Sequence, residues 1–366
     1  MSLNATAAVL HQAEQPFTLE TIELDELRPD EVLVRNEASG ICHTDVLATG
    51  RVPLPAVFGH EAAGVVEKVG SAVTRIRPGD RVLISYPWCG ACPHCDRGEP
   101  YLCSRHMELV FGGTRLDGSH TLMLQGQPIS GAFFQQSSFA THSIALERAV
   151  VPVHGDLPSR YLAATPCGVQ TGAGAILYSL RVSAAESLVV FGVGAVGLSA
   201  IIAGHLVGAT PLIAVDRIPE RLALARELGA THTVNAIGGE LIAQIREVAR
   251  NGVDVSLETS GNEHALEAAI GSLATGGRCG MVIAPHLGQK YPFSPSEIFT
   301  RAATLIGIIQ GSAVPRVFLN TLLQLHAKGR FPFERMVRHY DFSDINRAFE
   351  DAKAGRTIKP VLEFRQ

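Results

Sequence analysis

The stretch Leu188-Val-Val-Phe-Gly-Val-Gly-Ala-Val-Gly197 decides the fold. Its first four residues form a continuous apolar run, as expected of a strand covered on both faces of a parallel sheet. Gly192-Val-Gly-Ala-Val-Gly197, with Val196 in its last turn, fits G-x-G-x-x-G directly after that strand and opens an apolar helix from Leu198 to Leu206. Gly192 permits a tight turn, Gly194 lets a pyrophosphate approach the backbone, and Gly197 lets helix and strand pack closely. The helix N-terminus attracts the phosphates. Asp216 ends the next apolar run, 19 residues after Gly197 and 24 after Gly192. A carboxylate there accepts bonds from ribose hydroxyls and repels a 2′-phosphate, which favours NAD over NADP. Arg217 works in the opposite direction, and Arg221, one helical turn on, is placed to border the same ribose.

Outward from this unit, strands and helices alternate. Leu212 to Val215 reads as the next strand and Pro219 to Leu228 as the next helix, followed by strand Asp254 to Glu258 and helix His264 to Leu273. That rhythm predicts a doubly wound parallel sheet. It fades after Gly307, where helices Arg316 to Lys328 and Ser343 to Ala354 precede a strand from Pro360 to Phe364. Before about residue 150 the chain instead shows short β-type runs broken by Gly and Pro, such as Glu31 to Arg35, Ala63 to Gly70 and Arg81 to Ile84. These predict an antiparallel, partly barrel-like β domain. The expected division is a first domain of residues 1–167 and 309–366, and a dinucleotide-binding domain of residues 168–308.

The chain has 366 residues, enough for two domains, and its 46% hydrophobic and 18% charged residues make it a globular protein. A net charge of −4 offers no broad attraction for nucleic acid or an anionic membrane. No apolar run reaches the roughly 20 residues of a membrane span, and the first twelve residues lack a secretory signal pattern. A cytoplasmic location is the expectation.

Seven cysteines are present, four of them within Cys89-x-x-Cys92-x-x-Cys95 and Cys103. Four thiolates in so short a loop suit a closed tetrahedral zinc site that holds the loop together. An iron–sulfur cluster is the rival for such spacing. Three further candidates are dispersed: Cys42 in Gly-Ile-Cys-His-Thr-Asp45, His60 in Gly-His-Glu61, and Cys167 in Pro-Cys-Gly168. Spacing alone does not join them.

The order C-H-T-D, G-H-E, four clustered cysteines, a mid-chain Cys, then G-x-G-x-x-G and a downstream Asp resembles the zinc-dependent medium-chain alcohol dehydrogenases over essentially the whole chain. The resemblance implies a GroES-like catalytic domain beside a Rossmann domain, two zinc ions per subunit, and NAD. It places a catalytic zinc on Cys42, His60 and Cys167, and a structural zinc on Cys89, Cys92, Cys95 and Cys103. Three protein ligands leave a position for an alcohol oxygen, and zinc lowers the pKa of such an oxygen by many units. The implied reaction is reversible hydride transfer between a primary alcohol and NAD. Thr44 matches the family's proton-accepting hydroxyl, Asp45 a carboxylate that orients His60, and Glu61 a group that approaches the metal or forms a buried ion pair. His43 and Lys359 match positions that contact the cofactor phosphates. Leu47 stands where many relatives carry the histidine that passes the proton onward, so water, His43 or Arg51 must serve.

The substrate wall is expected to include Leu47, Tyr86, Trp88, Phe133 and Phe134. The C-H-T-D start, Leu47 in place of the relay histidine and the shortened segment between Leu47 and Phe58 look similar to the benzyl/aryl-alcohol dehydrogenase branch, with terpene-alcohol relatives nearby, and aromatics in the wall suit such bulky alcohols. Two other readings stand beside it. A glutathione-dependent formaldehyde dehydrogenase needs basic residues for the adduct's carboxylates, and Arg115 is the candidate. A non-catalytic zinc- and NAD-binding structural protein has no use for an open zinc position. A homodimer or homotetramer is implied, with Gly276 to Pro285 as a candidate edge strand for subunit pairing.

Overall fold

A computed structural model describes residues 3–282, 290–291 and 293–365. The chain forms two compact units: Met1–Cys167 with Val314–Thr321 and Glu334–Gln366, and Gly168–Ala313 with Leu322–Phe333. The second unit thus extends past residue 308 and takes back part of the tail assigned by sequence to the first. The reason is local. The short 3-10 turn Gln310–Ser312 seats against the helix Gln170–Gly174, where a Cβ on Gly174 would lie 2.4 Å from the Gly311 carbonyl oxygen. Ser179 also donates to Ser312 Oγ at 2.8 Å.

In the second unit, six strands form one sheet in the order His232–Asn235, Leu212–Asp216, Leu188–Phe191, Val253–Glu258, Leu273–Met281 and Thr304–Gly307. Every neighbour runs parallel. The strand Leu188–Phe191 is buried at all four positions, as its unbroken apolar run requires. It lies where strand order reverses, because the second strand flanks it on one side and the fourth on the other. The crevice beyond its C-terminal end is where such sheets bind ligands. The expected edge strand from Gly276 is corrected here: Leu273–Met281 is bonded on both sides, and Thr304–Gly307 forms the edge. Residues 283–285 of that run lie outside the described residues.

The first unit carries two sheets. One orders Ala56–Val57, Leu3–Leu10, Thr18–Leu24, Leu122–Leu124 and Gln127–Ile129. The other orders Val150–Pro152, Arg81–Ile84, Ala62–Val69, Glu31–Gly40, Lys359–Glu363 and Val337–Asp341, with His142–Leu146 also paired to Glu31–Gly40. The C-terminal strand therefore enters this sheet antiparallel to Glu31–Gly40, with Val361 opposite Gly40. That register brings Lys359 next to Ile41, just before Cys42. The core of the unit is aromatic, with Phe17, Phe58, Phe133, Phe139 and Phe349 in edge-on or tilted contact.

Candidate functional site

The dinucleotide motif folds as its residues demand. Gly192 has φ +81, and a Cβ there would come within 2.9 Å of Ser260 Cβ. A Cβ on Gly197 would stand 1.9 Å from the Gly192 carbonyl oxygen, so helix and turn could not both remain in place. Gly194 differs, because its Cβ would meet only an Arg221 guanidinium nitrogen at 4.0 Å. Protein packing therefore explains two glycines but not the third, and the open space at Gly194 fits a bound pyrophosphate. Gly194 is also the N-cap of the helix Ala195–Val207, whose first amides need acceptors. Asp216 accepts from Val193 N at 2.8 Å and from Ile218 N at 2.9 Å, which fixes its carboxylate beside the glycine turn.

In the other unit, Cys42, His60, Glu61 and Cys167 bring ligand atoms within 4.8 Å of one another. Cys42 caps the short helix His43–Ala48, and its amide donates to Asp45 Oδ2 at 2.8 Å. The other Asp45 oxygen takes Nδ1 of His60 at 2.8 Å and Gly59 N at 3.3 Å. Both residues are almost wholly buried. With Nδ1 donating to Asp45, the outward atom is Nε2, which is buried with no hydrogen-bond partner. The Cys42 and Cys167 sulfurs lie 3.9 Å apart. Their mutual contact holds the Cys42 thiol well below its usual range and pushes Cys167 well above it. Two sulfurs and an orphaned imidazole nitrogen are a donor set suited to zinc.

Glu61 and Lys359 form a buried ion pair beside this cluster, and Lys359 Nζ also donates to the Ile41 carbonyl at 3.2 Å. Burial pushes the Glu61 carboxyl up while the Lys359 ammonium pulls it down. One Glu61 oxygen, Oε1, has no partner. Gly40 is required here, since a Cβ would fall 2.0 Å from Glu61 Oε2. The expectation that Lys359 contacts cofactor phosphate is corrected: at 1% exposure its ammonium is engaged by Glu61 and Ile41. His43 is exposed at the start of its helix, while Thr44 sits 3.7 Å from the Cys42 sulfur through its hydroxyl.

The four clustered cysteines also converge as one group. The Cys89 and Cys95 sulfurs lie 3.8 Å apart and those of Cys92 and Cys95 3.5 Å apart. Backbone amides of Cys89, Ala91 and Ser104 point at the sulfurs of Cys103, Cys89 and Cys92 at 3.2–3.5 Å. Amides directed at sulfur favour thiolates, which a closed zinc site needs. None of the seven cysteines is joined in a disulfide.

The expected substrate wall changes most. Tyr86 and Phe133 are at most 1% exposed, so no substrate can reach them in this conformation. Phe133 and Phe134 instead wrap His60: Phe134 stacks on the imidazole at 4.2 Å and 20°, and Phe133 meets it edge-on at 5.6 Å. Only Leu47 and Trp88 of the five keep appreciable surface. Arg115 is likewise corrected. It is 4% exposed, bonds Glu31 through two nitrogens at 2.6 and 2.9 Å, and bonds Asp25 at 2.6 Å. A guanidinium so engaged cannot receive the carboxylates of a glutathione adduct.

Sequence reading missed Gln136 and Ser85. Gln136 donates to the His60 and Ser85 carbonyls at 3.1 and 3.2 Å, and Ser85 Oγ donates to Pro166 O at 2.9 Å, next to Cys167. Nothing in the local pattern marks them. The turn that delivers Gln136 has left-handed backbone at Phe134, Gln135 and Ser137 (φ 49, 51 and 45) without a glycine or asparagine to announce it. Such residues cost about 1–3 kcal/mol each and persist only where the surroundings enforce them.

Residues 28–154 match the family described as alcohol dehydrogenase GroES-like domain, and residues 195–328 the family described as zinc-binding dehydrogenase. A geraniol dehydrogenase of Castellaniella defragrans is 40% identical over 99% of this chain and 98% of its own. The crystal structure of benzyl alcohol dehydrogenase from Acinetobacter calcoaceticus superposes with a TM-score of 0.95 at 38% identity, covering 99% of this chain and 100% of that one. An alcohol dehydrogenase zinc-binding domain protein from Burkholderia ambifaria gives a TM-score of 0.97 at 43% identity over the full length of both chains.

Proposed function

Because the chain belongs to the zinc-dependent medium-chain alcohol dehydrogenase family, we propose that it oxidises a bulky primary alcohol, aryl or terpenoid, reversibly to the aldehyde with NAD. It is an alcohol dehydrogenase, and members of its family use zinc and NAD. The observation that carries the reading is the convergence of Cys42, His60 and Cys167, with a buried imidazole nitrogen left without a partner among two sulfurs. The named activities of the geraniol and benzyl alcohol relatives support the bulky substrate.

The residue roles follow from this reading. Cys42, His60 and Cys167 hold the catalytic metal, and Asp45 fixes the His60 tautomer so that Nε2 can ligate. When bound, zinc supplies the charge that lowers the pKa of the alcohol, and NAD accepts the hydride. Thr44 Oγ1 takes the alcohol proton, and with Leu47 beyond it water carries that proton on. Gly194 admits the pyrophosphate, and Asp216 reads the ribose and disfavours a 2′-phosphate. Cys89, Cys92, Cys95 and Cys103 hold a second zinc that only braces its loop. Among the described residues no helix is long and apolar enough to cross a membrane. Subunits associate as a homodimer or homotetramer.

The test is zinc analysis together with NADH formation on benzyl, cinnamyl, terpene and short aliphatic alcohols. Two zinc ions per chain and highest kcat/KM on the bulky alcohols are expected. One zinc per chain, or no turnover on any alcohol, overturns the reading.

A further inference from the structure

Resting on the assignment of Cys42, His60 and Cys167 as zinc ligands, we infer that the left-handed turn Phe133–Ser137 is a clamp that positions the catalytic-zinc histidine. Phe134 and Gln136 are its positioning residues.

The turn grips His60 twice. On the ring, Phe134 lies parallel to the imidazole at 4.2 Å, opposite in kind to the edge-on contact of Phe133 at 5.6 Å. Consecutive residues in ordinary backbone send their side chains apart. Here the left-handed Phe134, φ 49, lets two neighbouring rings meet one imidazole, themselves 4.9 Å apart and nearly perpendicular. On the backbone, Gln136 donates to the His60 carbonyl and accepts from Ala62 N at 3.4 Å, holding the chain on either side of Glu61 immediately after the ligand. The same amide donates to Ser85 O, and the Ser85 hydroxyl reaches Pro166 O beside Cys167. Gln136 and Ser85 are at most 1% exposed. One buried path therefore ties the His60 segment to the Cys167 segment, two ligands 107 positions apart in sequence.

The strained turn is itself held in shape. Ser137 Oγ accepts from Phe133 N at 3.0 Å and donates to Val57 O at 2.7 Å, while Gln135 donates to the Leu109 and Thr114 carbonyls at 3.3 and 2.9 Å. Backbone outliers enforced this firmly gather where a site needs preorganisation. Asp45 already fixes the in-plane direction of the imidazole through Nδ1. The stack fixes the remaining freedom, rotation of the ring out of that plane. Groups that hold a ligand without touching the metal commonly change metal affinity 10–100-fold when lost.

The experiment compares Phe134→Leu, Phe134→Tyr, Gln136→Leu and Phe349→Leu with the parent enzyme. Phe349 belongs to the same aromatic core and has ring contacts with Phe17 and Phe139, so it reports general loosening. Zinc affinity at each site is measured by competition with a chelator. The geometry of the Cys2His site is read from the d–d spectrum after cobalt exchange. Retained zinc on the four clustered cysteines and NAD binding establish that each variant is folded. Phe134→Leu and Gln136→Leu are expected to weaken the Cys2His metal roughly 10–100-fold and to shift the cobalt spectrum. Phe134→Tyr and Phe349→Leu should keep both near the parent. The inference is overturned if Phe134→Leu or Gln136→Leu, folded by those criteria, keeps parental affinity and spectrum, or if Phe349→Leu loses the metal equally. If one variant does not fold, the other decides. A parent enzyme carrying only the four-cysteine zinc would instead overturn the ligand assignment on which the clamp rests.

Discussion

Arg115 shows how far a single residue's meaning depends on where its neighbours fold. Its guanidinium spans buried Glu31 and half-exposed Asp25, and removing one member of a buried pair such as Arg115–Glu31 costs about 3–5 kcal/mol because the other charge is left alone. Arg115→Met is therefore expected to lower the urea-measured stability by at least about 3 kcal/mol, with kcat/KM for alcohols unchanged in the protein that remains folded. A specific loss of activity on a carboxylate-bearing thiol adduct would instead restore the glutathione reading. Cys42→Ser belongs to the same scale. Replacing a soft thiolate by a hydroxyl removes one of three ligands, so turnover should fall to background while zinc analysis still finds one ion per chain on Cys89, Cys92, Cys95 and Cys103. Retained turnover would refute the ligand set. The chemistry of these residues was legible in sequence for Cys42, His60 and Cys167 only through family order, since 125 positions separate the two cysteines. Lys359 and Arg115 were misread because a cationic side chain carries no sequence mark of its burial.

At the scale of the element, the glycine turn separates packing from ligand binding. Gly197→Ala puts a methyl 1.9 Å from the Gly192 carbonyl oxygen. It should destabilise the apo protein by about 1–3 kcal/mol, as overpacking does, and abolish NAD binding. Gly194→Ala meets only a side-chain nitrogen at 4.0 Å, so the thermal midpoint of the apo protein should stay near the parent while NAD affinity drops. Equal effects of the two substitutions on apo stability would show that Gly194 is a packing glycine and not the approach to a pyrophosphate. The strand before this turn and the helix after it were readable because both are apolar on every side, which only a doubly covered sheet accommodates. The edge strand His232–Asn235 was missed: four residues, with only Val234 buried, carry no period to detect. The strand Thr304–Gly307 was missed for the same reason, which is why Gly276 to Pro285 was mistaken for the sheet's edge.

For the whole molecule, the strand Thr304–Gly307, paired on one side only among the described residues, and the nearby helix Pro295–Arg301 bear on assembly. An unpaired strand edge invites a second strand, and Phe299 on that helix is 85% exposed, with Phe293 just before it at 45%. Phe299→Asp should shift light-scattering mass toward the monomer. An unchanged mass would place the subunit contact elsewhere. Cys42, His60 and Cys167 fall in one unit and the glycine turn with Asp216 in the other: the first three precede Gly168, and the turn and Asp216 follow it.

The sequence by itself determined the dinucleotide turn, the parallel sheet around it and the four-cysteine loop, because in each the chemistry is local and the interacting residues are close along the chain. Only the tertiary structure decided which cations are buried, which strand is the edge, and what the aromatic residues do. Those outcomes depend on chain segments many tens of residues apart, and no periodicity or spacing encodes their meeting. The Cys42, His60 and Cys167 group lies between the two cases: its order along the chain suggested it, but its physical warrant is the orphaned His60 nitrogen beside two sulfurs.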